Sequence, residues 1–378
     1  GSARYNKHSN FLTILLSFVI IAIILFLIIP LLVKLAGYFE LFFVNKVGLP
    51  FNVGTIIYFA LLIALIALAW RLTVKKGSTL WNTVVISFVY LLIGYSTFFI
   101  IIIRAKTNTP INEGSPSDAL SLLSYLNREQ YGDTPIVYGN YYNAPVTYTK
   151  PGNKAYAKDL ETGKYVVTDD GTVTTVKPVY DSKFCTLFPR MHSNEQRHVE
   201  AYKEWGKIKG RPIQTQTQNG MQVLYKPTFA ENLRFFFSYQ INHMYFRYFM
   251  WNFVGRQNNI EGHGDLANGN WISGINFLDN MRLGDQKSMP DSLKKNPARN
   301  TFFFLPLIIG LIGMFYHFRK NSYNALIVLW LFIMTGLAIV VYLNQTPYQP
   351  RERDYAYAAS FYAFAIWIGF GVLGICNM

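Results

Sequence analysis

The sequence predicts an all-α, multi-pass membrane protein that carries one large polar α/β insert. Three observations predict it. Runs such as Phe11–Val33 exceed the roughly 18 consecutive apolar residues that mark a spanning helix. Charged residues make up only 15% of the 378 and hydrophobic ones 51%, where soluble domains carry about a quarter charged. The cations of the spanning parts gather at the ends of apolar runs, as cytoplasmic loops of membrane proteins require.

Three spans are expected in residues 1–103. The first is Phe11–Val33, followed by a short extracytoplasmic link over Lys34–Asn52 that holds Lys34, Glu40 and Lys46. The second covers about Val53–Leu72 and the third about Leu80–Ile103. Arg104 and Lys106 then open a polar region that reaches Asn300, with 24 cations and 18 acids, the near balance of a solvated domain.

Residues 104–230 have the texture of a folded α/β insert. Ser115-Pro116-Ser117-Asp118 reads as a helix start, with Ser115 at the N-cap, Pro116 in the first helical position and Asp118 reaching back. Ala119, Leu120, Leu122, Leu123 and Leu126 then repeat at helical spacing. Thr134–Tyr138 and Met221–Tyr225 read as strands and Asn194–Trp205 as a helix. Lys164–Thr168 and Thr172–Lys177 flank Asp169-Asp170-Gly171, which predicts a hairpin.

Residues 231–300 hold an aromatic shelf and a polar loop. Glu231–Val254 is apolar, yet Gln240, His243 and Arg247 fall on one helix face, and Arg234 lies nearby. That pattern predicts an amphipathic helix in the membrane interface, its cations snorkelling toward headgroups. Residues 301–378 then supply three more spans: Phe302–Tyr316, about Ala325–Tyr342, and one from about Ala358, with a charged outer loop over 344–357.

Charge placement sets the topology and excludes one class of partner. Arg4 and Lys7, then Arg71, Lys75 and Lys76, then Arg319 and Lys320 sit in three short segments free of Asp and Glu. The positive-inside rule places all three in the cytoplasm and the polar region outside it. The formal charge of +14 forms no continuous basic stripe, so no nucleic-acid partner is expected, and the lipid bilayer is. Cys185 and Cys376 can build neither a disulfide framework nor a zinc site, so no metal or cofactor is expected. The chain begins at Gly1 and stops inside an apolar run, so an internal fragment of a longer protein is expected.

The candidate chemistry lies in Pro350-Arg351-Glu352-Arg353-Asp354-Tyr355, a burst of charge between greasy segments. Ionisable groups at a bilayer edge are costly, so they pair, bind a ligand, or both. Two guanidiniums beside two carboxylates can hold a phosphate and still position an acid or base. With six spans and a long outer loop, this suits a membrane enzyme that takes a sugar from a lipid-linked phosphate. Arg351 and Arg353, with Tyr355, Arg104 and Arg247 as further candidates, would bind donor phosphate; Glu352 and Asp354 would orient donor or acceptor. The alternative is a salt bridge that merely staples the loop to a helix end.

Two other segments are candidates. Asn108–Asp118 offers Glu113 as a carboxylate near the site, although a linker with a helix cap explains it as well, Asp118 above all. Glu261-Gly262-His263-Gly264-Asp265, with Asn268, Asn270 and Trp271, offers groups for a metal or a sugar, but its spacing is not that of a structural metal site and a surface loop explains it. Neither a phosphate-binding glycine loop nor a nucleophile elbow nor a His-Glu-x-x-His helix occurs.

Four segments carry a resemblance: Thr109-Pro110-Ile111-Asn112-Glu113-Gly114, Phe188-Pro189-Arg190-Met191, Tyr245–Arg256 and Tyr348–Tyr355. They resemble a bacterial family of large multi-pass membrane proteins, long catalogued as a domain of unknown function. That family is similar to the animal transmembrane protein O-mannosyltransferase of the GT-C glycosyltransferase superfamily. The resemblance implies a GT-C-like fold in the bacterial inner membrane. It also implies inverting, metal-independent transfer of a sugar, mannose by analogy, from a polyprenyl-phosphate donor to Ser/Thr of exported proteins. The family's early outer loop, with its Asp-Ser-Gly-Glu and His-Pro-Pro segments, has no counterpart here, so the catalytic base is expected in that missing loop and the chain is expected to be inactive alone. Two rivals stay open. A transporter or lipid flippase would use the charged loop as a gate, although such proteins place ionisable groups within spans. A non-catalytic envelope scaffold would use the insert to bind other proteins.

Overall fold

The structure is a computed structural model that describes residues 7–107, 109–112, 114–127, 129, 134–152, 154–168, 176–217 and 220–377. It is 59% helical, with a small sheet region. Among the described residues, five helices are long and apolar enough to cross a membrane. The chain divides into two compact units, residues 1–133 with 149–177 and residues 134–148 with 178–378, so the division runs through the expected insert.

The first unit holds α1 (Leu15–Val47), α2 (Val53–Lys75) and α3 (Thr79–Lys106). Their outward side chains are bare hydrocarbon; Phe26 is 82% exposed and Ile63 67%, a surface that suits lipid rather than water. The expected link over Lys34–Asn52 is not a loop for most of its length. Helix continues to Val47 because Glu40, the charge that made the segment look extramembranous, is wholly buried and satisfied. Its carboxylate accepts hydrogen bonds from the Asn52 and Thr55 N–H groups at the start of α2, from Thr55 Oγ1 and from the Tyr165 hydroxyl. An anion at a helix N-terminus meets both the orphan donors and the positive end of the dipole.

The expected helix after Ser115 starts three residues late. Asp118 itself caps α4 (Ala119–Leu126), accepting from Leu120 N, Ser121 N and Ser121 Oγ, and it pairs with Lys158 at 2.9 Å. The expected hairpin also shifts. Lys164–Thr168 pairs antiparallel with Ala155–Asp159 upstream of it, and the expected turn at 169–171 lies outside the described residues. Asp159 closes the observed turn by accepting from Glu161 N and Thr162 Oγ1, while Gly163 supplies the left-handed residue. Asn45 near the end of α1 exchanges two 2.8 Å hydrogen bonds with the Tyr165 backbone, a side chain doing the work of a strand.

The second unit begins with a short ladder, Tyr138–Asn140 against Cys185–Leu187, so the strand expected at Thr134–Tyr138 starts four residues later and ends at Asn140. The expected helix at Asn194–Trp205 is α5 (Gln196–Gly206), and the expected strand at Met221–Tyr225 is the second arm of the hairpin Arg211–Thr217 with Gly220–Lys226.

A continuous helix over 229–253, α6, follows a Thr228–Glu231 capping box and widens into π-type turns at 236–246. The snorkelling expected of its polar stripe is not what is found. Phe235, Tyr239, Tyr245, Tyr248, Phe249 and Phe253 are buried, and so are Gln240, His243 and Arg247, which do not snorkel. The polar stripe is real, but it faces protein loops that satisfy it. Full burial of each aromatic contributes about 1.5–3 kcal/mol, which makes α6 the axis of this unit.

The short helices α7 (Asn276–Leu283) and α8 (Asp291–Lys294) lead to α9 (Leu305–Lys320), α10 (Ser322–Leu343) and α11 (Asp354–Cys376). Six spans were expected, but α9 has only 16 residues, rising about 24 Å, and falls short of the spanning length that α10 and α11 reach. It lies hard against α11: a Cβ on Gly313 would strike the Trp367 carbonyl, and one on Gly371 the Ile309 carbonyl. Glycines at such spacing let membrane helices meet backbone to backbone.

Candidate functional site

The charged loop leaves α10 at Asn344 and enters α11 at Asp354. Its approach is fixed by buried amides. Gln240 donates to Asn344 Oδ1 and to the Gln345 carbonyl, and Asn344 donates to the Pro135 and Pro189 carbonyls. Arg190, wholly buried, donates to the Val341 and Ile136 carbonyls and stacks 3.9 Å above Phe188; burial pushes its guanidinium down to about 10. These contacts tie the segment 134–148 and the Phe188–Met191 turn to the end of α10.

Within the loop the four charges separate into two roles. Glu352 turns inward. Arg247 grips it with both terminal nitrogens, at 3.0 and 2.7 Å, the Tyr248 hydroxyl donates to the same oxygen as the shorter of these, and Gly262 N donates to the other at 3.1 Å. Burial works to raise the Glu352 carboxyl, and the Arg247 fork, the Tyr248 hydroxyl and the Gly262 N–H outweigh it, holding the acid below the ordinary carboxylate range. Arg247 is further held by the His243 and Gly269 carbonyls. This is the staple weighed as the alternative use of the loop. With four donors on two oxygens, Glu352 positions the loop, and Arg247 is committed to it.

Arg351 and Arg353 both lie against Tyr355. Arg353 Nη1 donates to the Tyr355 hydroxyl at 3.2 Å, and Arg351 lies 5.6 Å from the Tyr355 ring centre. Arg353 Nε is buried without an acceptor among the described residues. Asp354 is half-buried and forms no ion pair among them.

Arg256, which the sequence reading passed over, belongs with these groups. It stacks 3.9 Å above Trp251, donates through Nε to the Asn258 carbonyl, and feels the carboxylates of Asp354 and Glu352. Burial lowers its guanidinium and those carboxylates pull it back up. Its signal was its place, as the first cation beyond the Phe249-Met250-Trp251 belt. With Glu352 neutralised by Arg247, the loop keeps Arg351 and Arg353 beside Asp354 in sequence, and Arg256 feels the Asp354 carboxylate.

The Glu261–Asp265 loop serves this geometry. His243 Nε2 contacts the Gly262 carbonyl at 3.0 Å while Gly262 N holds Glu352, and Asp265 caps the turn at Ala267 and Asn268. No group of three or more His, Cys, Asp or Glu side chains that could hold a metal occurs among the described residues. Arg104 is exposed at the end of α3 and belongs to the first unit, and Glu113 lies outside the described residues.

A family of unknown function, DUF8416, matches part of the chain. The match covers residues 132–237. It is under a third of the chain, takes in the Phe188–Met191 turn and the start of α6, and ends before Arg247 and the charged loop. No curated protein and no solved structure matches.

Proposed function

We propose that the chain is part of a lipid-donor glycosyltransferase. It would take a sugar, mannose by the resemblance, from a polyprenyl phosphate and pass it to Ser/Thr of exported proteins at the outer face of the bacterial cytoplasmic membrane. The observation that carries this reading is the division of labour in the charged loop. The Arg247–Glu352 pair absorbs one acid of the loop into the scaffold, so that Arg351 and Arg353 outnumber Asp354 in the loop, with Arg256 within reach of the Asp354 charge. Guanidiniums in that arrangement suit a phosphate diester whose leaving group gains charge during transfer. Asp354 is the carboxylate left in the loop to orient an acceptor hydroxyl.

The test is glycopeptide mass analysis of exported proteins from cells carrying the intact gene, a deletion, or Arg351→Ala/Arg353→Ala. Loss of hexose from Ser/Thr in both altered strains is expected. Unchanged glycopeptides in the deletion strain would reject protein O-glycosylation and favour a transporter.

A further inference from the structure

The first unit holds two cavities that share α4 as a wall. One, of about 830 Å³, is bounded by α1, α2, α3 and the Ala119, Leu122 and Leu126 face of α4; its lining is almost wholly aliphatic and aromatic. The other, of about 480 Å³, lies on the opposite face of α4, against residues 34–41 of α1 and the start of the 155–168 hairpin. Its walls carry Lys34, Lys154, Ser124 and the phenols Tyr38, Tyr125 and Tyr156. Neither lysine forms an ion pair among the described residues; the Lys34 ammonium lies 5.8 Å from the Tyr38 ring centre. Glu129, the acid lining the same cavity, already accepts from the Asn127 amide.

Depth distinguishes the two spaces. Lys34 is the first charge after the apolar run Phe11–Val33, whose 23 residues rise about 35 Å as helix, slightly more than the roughly 30 Å hydrocarbon core. Its ammonium therefore stands at the level of lipid phosphates. The apolar cavity is walled by the spanning helices themselves, at the level of hydrocarbon chains. Two ammoniums and several hydroxyls around one space match the charge and the acceptor oxygens of a phosphate group.

We infer that the first unit binds a phosphate-bearing lipid, its phosphate between Lys34 and Lys154 and one hydrocarbon chain in the apolar cavity, with α4 between head and chain. This site goes beyond the charged loop and does not depend on the reading given to that loop. A free phosphate ion shares the headgroup chemistry; the apolar space on the other face of the same helix favours the lipid.

The experiment uses the full chain in phosphatidylcholine nanodiscs doped with phosphatidic acid, with retained lipid counted by native mass spectrometry and inorganic phosphate as competitor. The wild-type chain is expected to retain phosphatidic acid. Lys34→Gln/Lys154→Gln should weaken retention about thirtyfold, on about 1 kcal/mol per cation near a lipid surface. Lys34→Arg/Lys154→Arg should keep it, which separates lost charge from lost fold. Leu122→Trp, which fills the apolar cavity, should weaken lipid retention. Equal retention by the wild type and the glutamine pair would overturn the site. Displacement of the lipid by inorganic phosphate, with Leu122→Trp without effect, would assign the cavity to free phosphate and overturn the lipid.

Discussion

Glu40 in the first unit and Glu352 in the second are both acids taken out of solvent, and they are held by opposite means. Glu40 is surrounded by dipoles: two backbone N–H groups at the start of α2, the Thr55 hydroxyl and the Tyr165 phenol. Glu352 is matched by a full charge, the Arg247 fork, with one phenol and one backbone N–H in support. Dipoles spread the loss of any one partner over those that remain. A charge pair concentrates it, because removing either ion strands the other in a low-dielectric interior. In both places the carboxylate is architectural, and only in the second does a cation, Arg247, serve to hold it.

The contrast can be broken from either side. Arg247→Met should give the largest effect, a loss of about 3–5 kcal/mol, because Glu352 is left buried and unpaired. Arg247→Met/Glu352→Gln should recover most of it, since the amide still accepts from Gly262 N. Thermal unfolding of the purified chain in detergent measures both, and a double variant no better than the single one would remove the charge pair from this account.

Glu40→Leu should cost less, about 1–3 kcal/mol, with faster hydrogen exchange at the Asn52 and Thr55 amides, which lose their acceptor. A loss as large as that of Arg247→Met would show that the two acids are not held differently.

Acidification should give the smallest effect per step and report on the second unit. His243 is buried; burial first, then the adjacent Arg247 charge, pushes its ring down to about 3. The unfolded chain therefore takes up this proton before the folded one does. The stability involved is fully present above about pH 6.5 and is lost as pH falls from there toward 3, by up to about 1.4 kcal/mol per pH unit. A second loss follows below about pH 4.5, as Glu352, held under its ordinary range, resists protonation only in the folded state. Denaturant midpoints followed down in pH, in the wild type and in His243→Leu, test this; an unchanged slope in the variant would remove His243 as its source.

Much of the architecture was legible because long apolar runs carry their own signal: α1, α2, α3, α10 and α11 lie where the runs lie. What the sequence concealed was partnership across long separations. Glu40 looks like a loop residue until Tyr165, 125 positions away, and the start of α2 are brought to it. The stripe of Gln240, His243 and Arg247 was visible in its spacing, but nothing local says that a loop around Gly262 and another around Glu352 will cover it. Asp118 was recognisable as a cap, whereas the start of its helix was not, because Ser115-Pro116 offers an equally good local signal three residues earlier. Of the two uses considered for the charged loop, the staple is seen at Glu352, while Arg351 and Arg353 form no ion pair among the described residues.

The indole of Trp251 touches both sides of that division. Arg247 lies 4.8 Å from its ring and Arg256 3.9 Å, so one π-cloud serves a guanidinium that is spent and another that is not. Exchanging Trp251 for a smaller ring loosens the seat of Arg256 without altering a single formal charge, and the strength of the cationic cluster becomes adjustable from a position that no search for charged residues would select.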